Sequence, residues 1–219
     1  MGYIMNVMSR LDTVTTEAEF ELSGGALCLD FVNTVGDRPR RENEKLAVYA
    51  DLLRWAGHAG ILGEPERQAL GRRADSRTDE SRRALHHAIE LREVIYRTFS
   101  ALAAGDRPGP GELAALNAAL LESLPHLRLE SDEAGYGWTW SGARSRLDSP
   151  LWPVVRSAAD LLTSPEAALV RECASETCSW LFVDRSRTHR RRWCDMKTCG
   201  NRAKARRHYE RTKKKPLSD

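Results

Sequence analysis

The sequence predicts a mainly α protein: a multihelical body with a small β-hairpin, followed by a C-terminal treble-clef-like zinc finger. Three observations predict it. Apolar residues recur at helical spacing through most of the first 170 positions. Four of the five cysteines lie between Cys173 and Cys199 in the pattern C-x4-C-x15-C-x4-C. Charge is segregated: residues 171–219 carry 15 Lys/Arg against 6 Asp/Glu, net +9, and the rest of the chain is net −6. The expected organisation is a loose arm over 1–18, a helical domain over 19–170, a finger over 171–214 and a tail over 215–219. No apolar run approaches the ~20 residues that span a membrane, and the N-terminus lacks the apolar core of a signal peptide, so a cytoplasmic protein is expected.

From Gly25 to Val35 the pattern fits a helix. Leu27, Cys28, Phe31, Val32 and Val35 share one side, and Asp30, Asn33 and Thr34 form a narrow polar stripe opposite. Gly36–Asn43 reads as a loop. Helices are expected from Glu44 to about Ala59, from Pro65 to Ala74 with its early proline, and from Asp79 to Ala104, capped by Thr78 or Asp79 and ended by Gly105. Gly111–Leu124 is a further helix. His126–Trp140 reads as a hairpin around Asp132–Gly135, whose aromatic row either lines a pocket or, more simply, covers the helical core. Leu151–Leu162 and Glu166–Glu172 read as helices that lead into the finger without a flexible linker, so the finger should pack on the body.

Two short thiol pairs joined by a connector of this length can converge on one tetrahedral Zn²⁺. Disulfides and unrelated buried thiols are the competing readings, but paired cysteines in a cytosolic chain are more often metallated and the repeated x4 spacing argues against unrelated thiols. Cys173, Cys178, Cys194 and Cys199 are the expected ligands of one structural zinc. His189 and His208 lie near enough to compete, but four thiolates already close the site. The connector reads as a hairpin, with Trp180–Val183 as one strand and Arg190–Trp193 returning. A basic helix then follows from Arg202 to about Lys214.

The segments Trp180–Ser186, Arg191–Met196 and Cys199–Lys204 resemble the CGNR zinc-finger family, with Asp195 where a serine is expected. Gly24–Thr34 and Leu91–Glu93 resemble the ABATE domain that usually precedes that finger. The resemblance implies a stress-induced transcription regulator, with DNA binding by the finger and ligand sensing upstream.

Arg92 falls within the apolar face of the longest helix, where an unpaired guanidinium would cost several kcal/mol, on the order of 3–5. Its partner is either a carboxylate, Asp30 being the candidate, or an anionic ligand held by Asp30, Asn33, Thr34 and Arg92 together. On the finger, Arg190, Arg191, Arg192, Arg202, Lys204, Arg207 and Arg211 are expected to meet DNA, mostly through phosphates. Double-stranded DNA is the expected partner, with a small anionic ligand and a homodimer as further candidates. An RNA-binding module, and a ligand or protein-interaction domain whose finger is only a staple, are the alternatives. No residue pattern supports an enzyme.

Overall fold

The computed structural model describes residues 20–38, 40, 43–132 and 135–213. The expected arm and tail lie outside the described residues.

The body is built around a short helix, α1 (Leu27–Val32), whose Cys28, Leu29, Phe31 and Val32 are all buried. Apolar on three sides, α1 cannot sit at a surface. It packs against α6 (Trp152–Thr163) and α4 (Thr78–Ala104). The long helix α4 forms because Leu85, Ala88, Ile95 and Phe99 recur at three- and four-residue spacing and bury one stripe. It ends where Gly105 takes the left-handed conformation, φ +87°. Its start is capped by neither Thr78 nor Asp79: the cap position is Arg77, without a side-chain bond. Helices α2 (Tyr49–His58) and α3 (Glu64–Ser76) pack together and on α4, and α5 (Pro110–Ser123) fills the space between α4 and α6.

Three two-stranded antiparallel ribbons complete the described chain: β1 (Val35–Gly36) with β2 (Asn43–Glu44), β3 (Leu127–Asp132) with β4 (Gly135–Trp140), and β5 (Val170–Glu172) with β6 (Leu181–Val183). Several expectations are corrected here. The first helix stops at Val32, since Val35 pairs with Glu44 across the first ribbon. Residues 44–48 are therefore not helical, and α2 starts at Tyr49, where the Asp51 carboxylate accepts the backbone N–H groups of Ala47 (2.8 Å) and Val48 (3.0 Å). Glu166–Glu172 is not a helix: a 3-10 turn over Pro165–Leu169 gives way to β5, with Val170 buried in the core. The finger's ribbon is consequently β5–β6, not a hairpin returning through Arg190–Trp193. That return segment forms no strand and makes one backbone bond, from Ala174 N–H to the Arg192 carbonyl at 2.9 Å.

The aromatic hairpin also differs from the covering role expected of it. Trp140 stays near Trp152, ring centroids 5.9 Å apart, but Trp138 and Tyr136 are 60% and 84% exposed. Beyond its base the ribbon stands away from the core, with the Arg156 guanidinium over the face of Trp138 at 4.6 Å.

Strand β6 alternates between two cores. Leu181 and Val183 join the body cluster with Phe31, Val154 and Ile95, whereas Phe182 packs with Cys173, Cys194 and Cys199. Body and finger thus share one strand.

Candidate metal centre and basic helix

Cys173 follows β5 directly, and Cys178 closes a tight knuckle in which its N–H bonds the Ser175 carbonyl at 3.1 Å. Cys194 ends the connector. Cys199 sits in a π-helical turn, Met196–Gly200, that opens into α7 (Asn201–Lys213). The turn is set by Asp195, whose carboxylate accepts the Thr198 N–H at 2.8 Å and the Thr198 hydroxyl at 3.1 Å; an aspartate caps as well as the serine expected there. A Cβ on Gly200 would meet Met196 Sδ at 2.6 Å, so the flexible Met196 side chain would have to swing away to admit one.

The four Sγ atoms lie within 4.8 Å of one another, with Cys178–Cys194 and Cys194–Cys199 each at 3.7 Å. Four sulfurs each ~2.3 Å from one zinc ion sit about 3.8 Å apart, so the cluster fits a tetrahedral Zn²⁺. Four thiols this close cannot all ionise without a metal: hydrogen bonds from Cys178 and Cys194 hold the Cys173 thiol far below its ordinary range, and Cys173 in turn raises both of its neighbours. A divalent cation removes that conflict. With all four positions filled by protein, the zinc is structural. His189 is not drawn in; its Nδ1 lies 2.8 Å from the Asp184 carbonyl.

Sequence reasoning missed Asp184, which orders the connector. Fully buried, it accepts the backbone N–H groups of Ser186 (3.0 Å) and Arg191 (2.8 Å). Burial alone would raise its carboxyl, but these bonds outweigh burial and leave it below the ordinary range. Arg191, expected on DNA, is turned inward: it donates to the carbonyls of Trp193 (2.8 Å) and Cys194 and lies 4.4 Å over the Phe182 ring. Its role is to brace the ligand loop. Arg190 and Arg192 remain exposed.

Helix α7 is solvated on almost every side; only Ala203 is half-buried among the residues whose side chains are described. Tyr209 is 64% exposed. Arg202 donates to Thr177 Oγ1 at 3.0 Å, Arg206 pairs with Glu176, Arg207 Nε donates to the Ala203 carbonyl at 3.4 Å, and Lys204 and Arg207 are both exposed. The side chain of Arg211 lies outside the described residues.

The four body residues read as one polar site do not converge. The Arg92 guanidinium is fully buried and takes Glu44 in a bidentate pair, both bonds 2.7 Å, with Glu93 at 3.0 Å and Thr34 Oγ1 at 3.1 Å. Asp30 is not its partner; that carboxylate accepts the Gly24 N–H at 2.8 Å. The reason is the first ribbon, which ends α1 and carries Glu44 under α4. Asn33 instead pairs with the finger: its amide donates to the Leu181 carbonyl and accepts the Leu181 N–H, both at 2.9 Å. Gly24 contributes its carbonyl to Val183 N–H at 2.8 Å, Gly25 bonds Arg185 at 2.9 Å, and Val35 accepts the Trp180 indole N–H at 3.1 Å. The segment Gly24–Val35 is therefore the seat of the finger, and it covers the free edge of β6. Gly25 adopts φ +79° to make the turn, and a Cβ on Gly24 would lie 2.8 Å from that of Leu29.

The comparisons with known proteins agree with this architecture. The ABATE family model, described as "putative stress-induced transcription regulator", matches residues 25–165. The chain belongs to the ABATE family. The CGNR zinc-finger model matches residues 170–212, which contain all four ligands. No curated protein matches the chain. In this ABATE protein the two matched segments meet at β5, whose first residue is buried in the body and whose end leads into Cys173. Among the described residues, no helix is long and apolar enough to cross a membrane.

Proposed function

We propose that the protein is a DNA-binding transcription regulator whose finger grips duplex DNA through α7 and whose helical body serves to hold and orient it. One observation carries this reading: α7 is a 13-residue helix with Arg202, Lys204, Arg206, Arg207, Arg211 and Lys213, fixed at its zinc-bound start, tied to the first knuckle by Arg202 and Arg206, and exposed at every other described side chain except the half-buried Ala203. A helix polar all round does not hold itself together by burial, and one this basic suits a polyanion. Its register on the chain is set by the metal turn, so it projects from a rigid platform as a groove-entering or phosphate-tracking element must. The family description supports a regulator.

Affinity for a duplex should fall steeply with salt. Contact with about 6 phosphates gives a log–log slope near −5, from roughly −0.9 per phosphate. Arg207→Ala should make the slope about one unit shallower, whereas Arg191→Ala should weaken binding through loss of finger structure and zinc. Affinity unchanged between low and high salt would sink the reading. The exposed Tyr209 favours a second reading, RNA, because an aromatic ring in solvent can stack on an unpaired base. Competition between duplex DNA and single-stranded RNA for the same protein decides between them.

A further inference from the structure

A cleft of about 230 Å³ separates the body from the finger beside the metal centre, and Cys178, Cys194 and Cys199 form part of its wall. Two cations line it from opposite sides: Lys45, which follows β2 of the body, and Arg202, in the first turn of α7. Four thiolates around one Zn²⁺ leave the centre with a net charge of −2, and three of the four cysteines are buried. A buried anion of that size demands compensation nearby. Lys45 and Arg202 bring two positive charges to the cleft that Cys178, Cys194 and Cys199 help to wall, and Cys178 is the half-exposed one of the three. Glu21 also lines the cleft and, like Arg202, is solvent-exposed, so the lining around the thiolates carries a net charge of +1, with the half-buried Lys45 the least screened of the three.

Both cations are held in place by neighbours. The Lys45 N–H bonds the Thr34 carbonyl at 3.0 Å, and its ammonium lies 5.5 Å from the Trp180 ring. Arg202 donates to Thr177 Oγ1, so it ties the helix after the second thiol pair to the knuckle of the first. We propose that Lys45 and Arg202 are charge-compensating residues of the zinc centre, and that through Lys45 the helical body sets how tightly the finger holds its metal. Residues that support metal ligands from outside typically change metal affinity 10–100-fold when lost. A body that shifts on its seat would carry Lys45 away from the thiolates and loosen the zinc, without touching any ligand.

The test is transfer of zinc from the fully loaded, full-length chain to excess EDTA, followed with a zinc indicator at low salt. Lys45→Met and Arg202→Met should each release zinc at least about 10-fold faster than the parent protein, and Lys45→Arg should restore the parent rate. Arg207→Met removes a charge from the same helix but not from the cleft, and should release zinc at the parent rate. Added salt should speed release from the parent more than from Lys45→Met. Should Lys45→Met fail to fold, Lys45→Gln takes its place, and Thr177→Val, which removes the Arg202 hydrogen bond but no charge, should release zinc at the parent rate. Parent-rate release from both Met variants would overturn the proposal. So would equal acceleration by Arg207→Met, which would make the effect one of overall charge.

Discussion

At the scale of single residues, the centre of the body turns on which carboxylate meets Arg92. Glu44 grips the guanidinium with two bonds of 2.7 Å, and Glu93 and Thr34 each take one further donor. Arg92→Leu should destabilise the body by about 3–5 kcal/mol, because it leaves Glu44 in a half-buried site without its cation. Arg92→Leu with Glu44→Leu should recover much of that loss, and combination with Asp30→Leu should be additive; urea melts of the two double mutants measure the difference. Asp30 has its own signature. Burial pushes its carboxyl up to about 6, against the Gly24 hydrogen bond that lowers it. A carboxyl raised in the folded state favours folding when protonated, so its contribution is complete below about pH 4 and is lost as pH rises through 6. Asp30→Asn keeps an acceptor for Gly24 and removes the charge. It should therefore gain stability at pH 7.5 and match the parent near pH 4. The gain should be on the order of 1–2 kcal/mol, below the ~1.4 kcal/mol per pKa unit because the group is partly exposed. Melts of equal stability at pH 7.5 would show that the burial cost is absent.

Among the elements, β6 decides how the finger is carried. Its residues alternate between the body and the metal cluster, and its outer edge is filled by the Gly24 carbonyl and the Asn33 side chain. Asn33→Ala leaves the Leu181 N–H and carbonyl without partners in a dry interface, and each such group costs about 1–3 kcal/mol. The expected outcome is a melt destabilised by at least ~2 kcal/mol together with faster amide exchange at Leu181. Asn33→Asp retains the acceptor but buries a carboxylate against the Leu181 carbonyl, so at neutral pH it should destabilise at least as much as Asn33→Ala. Unchanged exchange at Leu181 would mean that the finger is held by its apolar contacts alone.

For the whole molecule, body and finger share a core through β5 and β6, so removal of zinc should not separate them cleanly. Elemental analysis should find one Zn²⁺ per chain. Chelation, or Cys194→Ser, should melt the ligand loops and α7, because metal binding is folding energy for such a segment, on the order of 10–16 kcal/mol in finger peptides. The ribbon packs Val170, Leu181 and Val183 into the body and should survive. Circular dichroism should therefore lose about the helical signal of α7 and retain that of α1 to α6, with the body melting at a lower temperature. A metal-free protein with full helical signal would contradict a structural zinc.

Much of this was determined by sequence alone, and the part that was not has a common cause. The ligand set was legible because a chelating pair is local: two thiols four residues apart must share a knuckle. The helices α3 to α6 were legible because a 3.6-residue period is visible within a single turn or two. The segregated charge needed only counting. What the tertiary structure decided were matters of partner choice between distant residues. Asn33 and Leu181 are 148 positions apart, and Arg92 and Glu44 are 48 apart; no local pattern states which carboxylate a buried arginine will reach. Val170–Glu172 reads as the end of a helix until β6 stands beside it to take its hydrogen bonds. Arg191 looks like its neighbours Arg190 and Arg192 until Asp184 turns the connector and aims it at the ligand loop. Local period and spacing come from the geometry of one element, whereas the choice among equally charged partners is made by the burial that only the assembled fold imposes.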